Sequence, residues 1–168
     1  MWYQQLLAGL AAFIIVSLHI HRATMLFTSH QNPHQPFHET PPFQTSLSLL
    51  ECARRMMPPL EKWNKIEECV RSSEVYMVRN GRVPFMKRGP PLAYVISPLV
   101  ANRVFVTSLY RELDIVSQAL VMIHECAHLA LGATDVAYHW EEQFQHLTKE
   151  EHTKNADSYM HQVLVTCV

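Results

Sequence analysis

The stretch Val121-Met122-Ile123-His124-Glu125-Cys126-Ala127-His128-Leu129 carries two histidines and a glutamate of the types and spacing that do metal chemistry. On a helix, residues four apart share a face, so His124 and His128 direct their imidazoles at one point with Glu125 beside them. An H-E-x-x-H helix of this kind holds zinc through its histidines and uses the glutamate as general base. The chain has 11 histidines, so the pattern could arise by chance and its neighbours must decide. Catalytic zinc takes three protein ligands and keeps one position open for water. The turn Gly132-Ala133-Thr134-Asp135 lets the chain reverse straight after the helix, which brings a short carboxylate back and favours Asp135 as third ligand. Glu150 and Glu151 stay open as alternatives. Tyr138 follows Asp135 by three positions, where a phenol could steady an oxyanion.

The elements around this stretch must hold it rigidly. Asp114 can cap a helix that runs through Ile115, Val116, Ala119, Leu120, Ile123, Ala127 and Leu131 and ends at Gly132 in a left-handed turn. Its apolar residues wrap most of the circumference, so the helix is expected to be central and buried. Upstream, Ser46 to Arg71 reads as two helices split by Pro58-Pro59. Glu74 to Arg79, Asn80-Gly81 and Arg82 to Phe85 read as a β-hairpin, because both turn residues tolerate positive φ. Leu92 to Ile96 and Arg103 to Thr107 are two further candidate strands. The fold class expected is α+β: a mainly helical, zincin-like domain with a small antiparallel-containing sheet and a buried H-E-x-x-H helix.

Three ordered segments carry a family resemblance: His124-Glu125-x-x-His128, Gly132-Ala133-Thr134-Asp135-Val136-Ala137-Tyr138 and Asn155-Ala156-Asp157-Ser158-Tyr159. Together they resemble the deuterolysin or aspzincin family of zinc metalloendopeptidases, which includes the peptidyl-Lys metalloendopeptidases. The resemblance spans about Leu92 to Val165. It implies Asp135 as third zinc ligand, Tyr138 as transition-state donor and Asp157 as an acid lining the substrate pocket. Asp157 could instead hold a ligand histidine or cap a helix. Three positions depart from the family pattern: Ala133 replaces a threonine, His139 a glycine, and Met160 the second acid of the lysine-specific members. A preference for lysine is therefore not carried over.

Composition narrows the remaining classes. The 168 residues suffice for one domain, and 48% hydrophobic residues suffice for its core. A formal net charge of −1 with scattered Lys and Arg gives no footprint for nucleic acid. Leu6 to Ile20 is an apolar run of signal-peptide length, which predicts secretion, with anchoring by residues 6–20 as the alternative and a membrane contact only if the run is uncleaved. Residues 1–21 are thus read as signal peptide or anchor, 22–45 as a Pro/His-rich linker and 46–168 as the peptidase domain. The 4 cysteines suit disulfides in an exported chain. Cys52 and Cys69 flank the proline break and are expected to pair, leaving Cys126 in the core or bonded to Cys167. The function expected is hydrolysis of protein or peptide substrates with one Zn²⁺. The alternative is a catalytically degenerate zinc-binding or partner-binding module, against which the intact Glu125 argues, because metal binding alone needs no base.

Overall fold

The structure is a computed structural model that describes residues 37–78, 91–96 and 102–168. The N-terminal apolar run, most of the expected linker and the Asn80-Gly81 turn lie outside the described residues. After a 3-10 turn at Phe37–Glu39, helix α1 spans Pro41–Met56 and α2 spans Leu60–Ser72. Three strands follow, β1 at Glu74–Met77, β2 at Ala93–Val95 and β3 at Arg103–Val106. Then come a short helix α3 (Ser108–Arg111), the long α4 (Ile115–Leu131), a 3-10 turn at Glu142–His146, α5 (Lys149–Lys154) and α6 (Ala156–Cys167). The class is mixed α+β.

Helix α4 is the axis around which the described residues pack. Asp114 caps its start, accepting a hydrogen bond from Ser117 N at 2.9 Å, and Gly132 ends it with φ 64°. Only glycine adopts that left-handed conformation without a Cβ penalty. One side of α4, through Ala119, Leu120, Ile123 and Ala127, meets Leu50 and Ala53 of α1, Trp63, Ile66 and Val70 of α2, and Val163 of α6. The other side buries Met122 against Ala93, Val104 and Val106 of the sheet. Burying both sides explains why apolar residues wrap the helix. Where α1 comes closest, Ser46 donates to Ala119 O at 3.3 Å as well as to Pro42 O within its own helix.

The sheet has the order β1-β3-β2. β3 runs antiparallel to β2, with Tyr94 opposite Phe105, and parallel to β1, with Tyr76 opposite Phe105. The three rings stack across the face away from α4, at centroid separations of 5.7 and 5.2 Å. β1 therefore finds its partner in β3, a long way beyond the Asn80-Gly81 turn. The expected hairpin strand Arg82 to Phe85 lies outside the described residues. Among the described residues no helix is long and apolar enough to cross a membrane.

Two expectations are corrected. Helix α1 begins at Pro41, ahead of Ser46 and inside the stretch read as linker, because Pro41 and Pro42 occupy the first helical positions, where the missing N–H costs nothing. The disulfide joins Cys52 to Cys167, with Cα–Cα 6.0 Å, and ties α1 to the end of α6. Neither Cys52–Cys69 nor Cys126–Cys167 forms. Cys69 shares the buried face of α2 with Trp63, Ile66 and Val70, which packs on α4, whereas Cys52 sits half-buried on the side of α1 that reaches α6.

Two leucines test this packing. Leu50 is fully buried and Leu60 is 56% exposed. Leu50→Ala is expected to lower unfolding free energy by about 2–5 kcal/mol and Leu60→Ala by less than about 0.5 kcal/mol in urea titrations. Equal losses would contradict the core described here.

Candidate metal centre

The expected metal residues converge. His124 and His128 stand one turn apart on α4, with ring centroids 4.8 Å apart and Nε2 atoms 3.1 Å apart. Asp135 Oδ1 lies 3.2 Å from each of those nitrogens. The three side chains form a group that could hold a metal ion. A tetrahedral ion with bonds of about 2.0–2.1 Å keeps its ligand atoms about 3.3–3.4 Å apart, so the near-equilateral triangle is of the right size. The donor set of two imidazoles and one carboxylate also suits a divalent ion of intermediate softness.

The ring orientations suit coordination as well. His128 Nδ1 lies 2.8 Å from Ala133 O, a carbonyl that can only accept. One proton is thereby held on Nδ1, and Nε2 points into the triangle, where a metal ion would replace its proton. His124 Nδ1 faces Asp157 Oδ1 at 3.8 Å. Asp157 is 1% exposed, and its Oδ2 accepts from His139 N and lies 3.1 Å from His139 Nδ1. The carboxylate that the family resemblance placed in a pocket is thus enclosed between two histidines.

Asp135 sits on irregular backbone, and a clamp that sequence reasoning missed holds it there. Thr134 N donates to Lys154 O at 2.7 Å and Ala156 N donates to Thr134 O at 2.9 Å, forming an isolated parallel bridge. Between them, fully buried Asn155 accepts from Val136 N at 3.0 Å and Ala137 N at 3.4 Å, and donates to Ala137 O at 2.8 Å. Its amide also donates to Ser158 Oγ at 3.0 Å, which lies 2.9 Å from His152 Nδ1. The sequence signal was the segment Asn155-Ala156-Asp157-Ser158-Tyr159 itself, but nothing in its spacing said which loop it would grip. Glu150 and Glu151 are exposed and serve elsewhere, Glu151 in the capping box of α5 with Thr148.

Tyr138 leaves the loop beside the metal group. Its ring lies nearly parallel to that of His124 at 6.1 Å, and its other face stacks on Trp140 at 4.7 Å. Its backbone N donates to Glu141 Oε2 at 2.9 Å. Glu125 is buried, and burial raises its carboxyl above the ordinary value, against the opposing charges of His124 and His128. For His128, burial works downward, but the hydrogen bond it donates to Asp135 and the charges of Glu125 and Asp135 prevail and raise it to about 9. For Asp135, burial works upward, yet the hydrogen bonds and charges of both histidines hold it far below the usual carboxylate range.

No family model, curated protein or solved structure matches the chain.

Two predictions follow from this geometry. In the metal-free protein, protonated His128 contributes stability that is fully present below pH 6.5 and is lost as pH rises towards 9, while the contribution of Asp135 is already complete above pH 4. The melting temperature of chelated protein is therefore expected to fall by about 5 °C or more between pH 6.5 and 9.5. A flat profile would mean that the pair is not formed. Asp157→Asn and Asn155→Ala are each expected to weaken metal binding by about 10- to 100-fold in a competitive chelator titration. Unchanged affinity in both would show that neither side chain supports the ligands.

Proposed function

We propose that the chain is a zinc metalloendopeptidase of the deuterolysin or aspzincin kind with a zincin-like fold, in which His124, His128 and Asp135 hold one Zn²⁺. The observation that carries the reading is the preformed triangle of two imidazole nitrogens and a carboxylate oxygen, with Glu125 next to one of the ligands on the same helix. Zinc bound there supplies positive charge that lowers the pKa of a water molecule and polarises the scissile carbonyl. Glu125 takes the proton from the attacking water and returns it to the leaving amine. Its burial suits this traffic, since a carboxyl raised above its ordinary value accepts a proton more readily than an exposed one.

Tyr138 donates its phenolic hydrogen to the carbonyl oxygen as negative charge builds there. Stacking between His124 and Trp140 restricts its ring, so little freedom is lost when it acts. Asp157 positions His124 from behind, and the Ala133 carbonyl does the same for His128. With its carboxylate shared by His124 and His139, Asp157 is assigned here to the ligands and not to substrate. The Cys52–Cys167 disulfide accords with secretion, where such bonds persist.

The test uses purified full-length chain loaded with zinc and a peptide library. Wild type is expected to cut, Glu125→Gln to retain one zinc per chain while losing about 10²- to 10⁴-fold in kcat, and Tyr138→Phe to lose about 10²-fold or more in kcat with zinc retained. Zinc-loaded wild type that leaves the library uncut would replace the peptidase with a non-catalytic zinc-binding module.

A further inference from the structure

The disulfide Cys52–Cys167 leaves Cys69 and Cys126, on different helices and far apart in sequence. Their Sγ atoms are 2.8 Å apart. Unbonded sulfurs do not pack so closely, and a disulfide needs them at about 2.05 Å, so a small side-chain adjustment completes the bond. Both residues are buried, Cys69 at 6% exposure and Cys126 at 0%, within the apolar cluster between α2 and α4. The nearby polar atom Ser73 Oγ lies 3.4 Å from one sulfur and 3.9 Å from the other.

We propose that Cys69 and Cys126 form a second structural disulfide, nested inside the first. A redox switch does not fit, because neither sulfur is open to a reagent in the folded protein and the bond must be made during folding. The chemistry balances with a disulfide oxidant such as oxidised glutathione. One cysteine thiolate attacks it and expels a glutathione thiolate, leaving a mixed disulfide. The second cysteine then attacks the protein sulfur of that mixed disulfide and expels the other glutathione. The protein loses two electrons, the oxidant gains two, and the two thiol protons finish on the two glutathiones.

The bond would tie α2 to α4 at the residue after Glu125, and so fix the rotation of the helix that carries His124 and His128. With Cys52–Cys167 it would join the four long helices into two covalent pairs, α1 with α6 and α2 with α4. The inference is independent of the proposed activity, since it is read from mass and melting and not from turnover.

The full chain, folded in a glutathione redox buffer, is denatured with chelator but no reductant, alkylated and mapped by mass spectrometry. The expected result is no alkylated cysteine and a peptide pair joined through Cys69 and Cys126. Alkylation of both residues, or a cross-link from either to Cys52 or Cys167, would overturn the proposal. As a second measurement, Cys52→Ala/Cys167→Ala keeps only this pair, and its melting temperature is expected to drop by about 5–10 °C after it has been unfolded in dithiothreitol and refolded in its presence. A melting temperature indifferent to reductant would equally overturn it. If that variant does not fold, the peptide map of wild type decides alone.

Discussion

The side-chain amide of Asn155 is the interaction on which the candidate site depends. The loop after α4 has no regular hydrogen-bonding pattern of its own, and buried backbone groups without partners cost free energy comparable to lost hydrogen bonds. Asn155 meets the N–H groups of Val136 and Ala137 and the carbonyl of Ala137, while the backbone on either side of it meets Thr134. Asp135 lies inside that grip. Without it, a carboxylate on a free loop would have to be ordered each time an ion arrived.

The same economy of partners runs through the electrostatics. Between two imidazoles and a carboxylate within 3.2 Å of one another, protons and negative charge interleave. Asp135 takes the inner face of the histidines. The Ala133 carbonyl takes the outer nitrogen of His128, and Asp157 Oδ1 faces that of His124 at 3.8 Å. Asp157 in turn is held by the backbone and ring of His139, which therefore supports the candidate centre from outside.

Helix α4 was legible because local and global demands agree there. Asp114 caps, Gly132 terminates, and a helix apolar on most sides has nowhere to go but the middle. The convergence of Asp135 on the two histidines was legible for a similar reason, since a tight turn leaves the returning chain little choice. Other features hinged on partners remote in sequence. Asn80-Gly81 signals a turn, yet the partner of β1 is β3, and no local pattern announces a parallel pairing. Cysteine count suggested disulfides, but pairing followed from which faces of α1 and α2 meet α4 and α6. Prolines at 41 and 42 looked like linker and are a helix start. The grip of Asn155 could not be foreseen, because its target is backbone and backbone carries no sequence signature.

The clamp also sets an order of assembly. His124, His128 and Asp135 leave the ribosome before the residues that position them, so a nascent chain that has emerged only as far as Tyr138 owns all three donors and no centre. The junction of α5 and α6 must arrive and dock before the triangle closes, and the far end of α6 is fastened through Cys167. Any ion that the triangle holds would thereby be taken up only after α6 is in place.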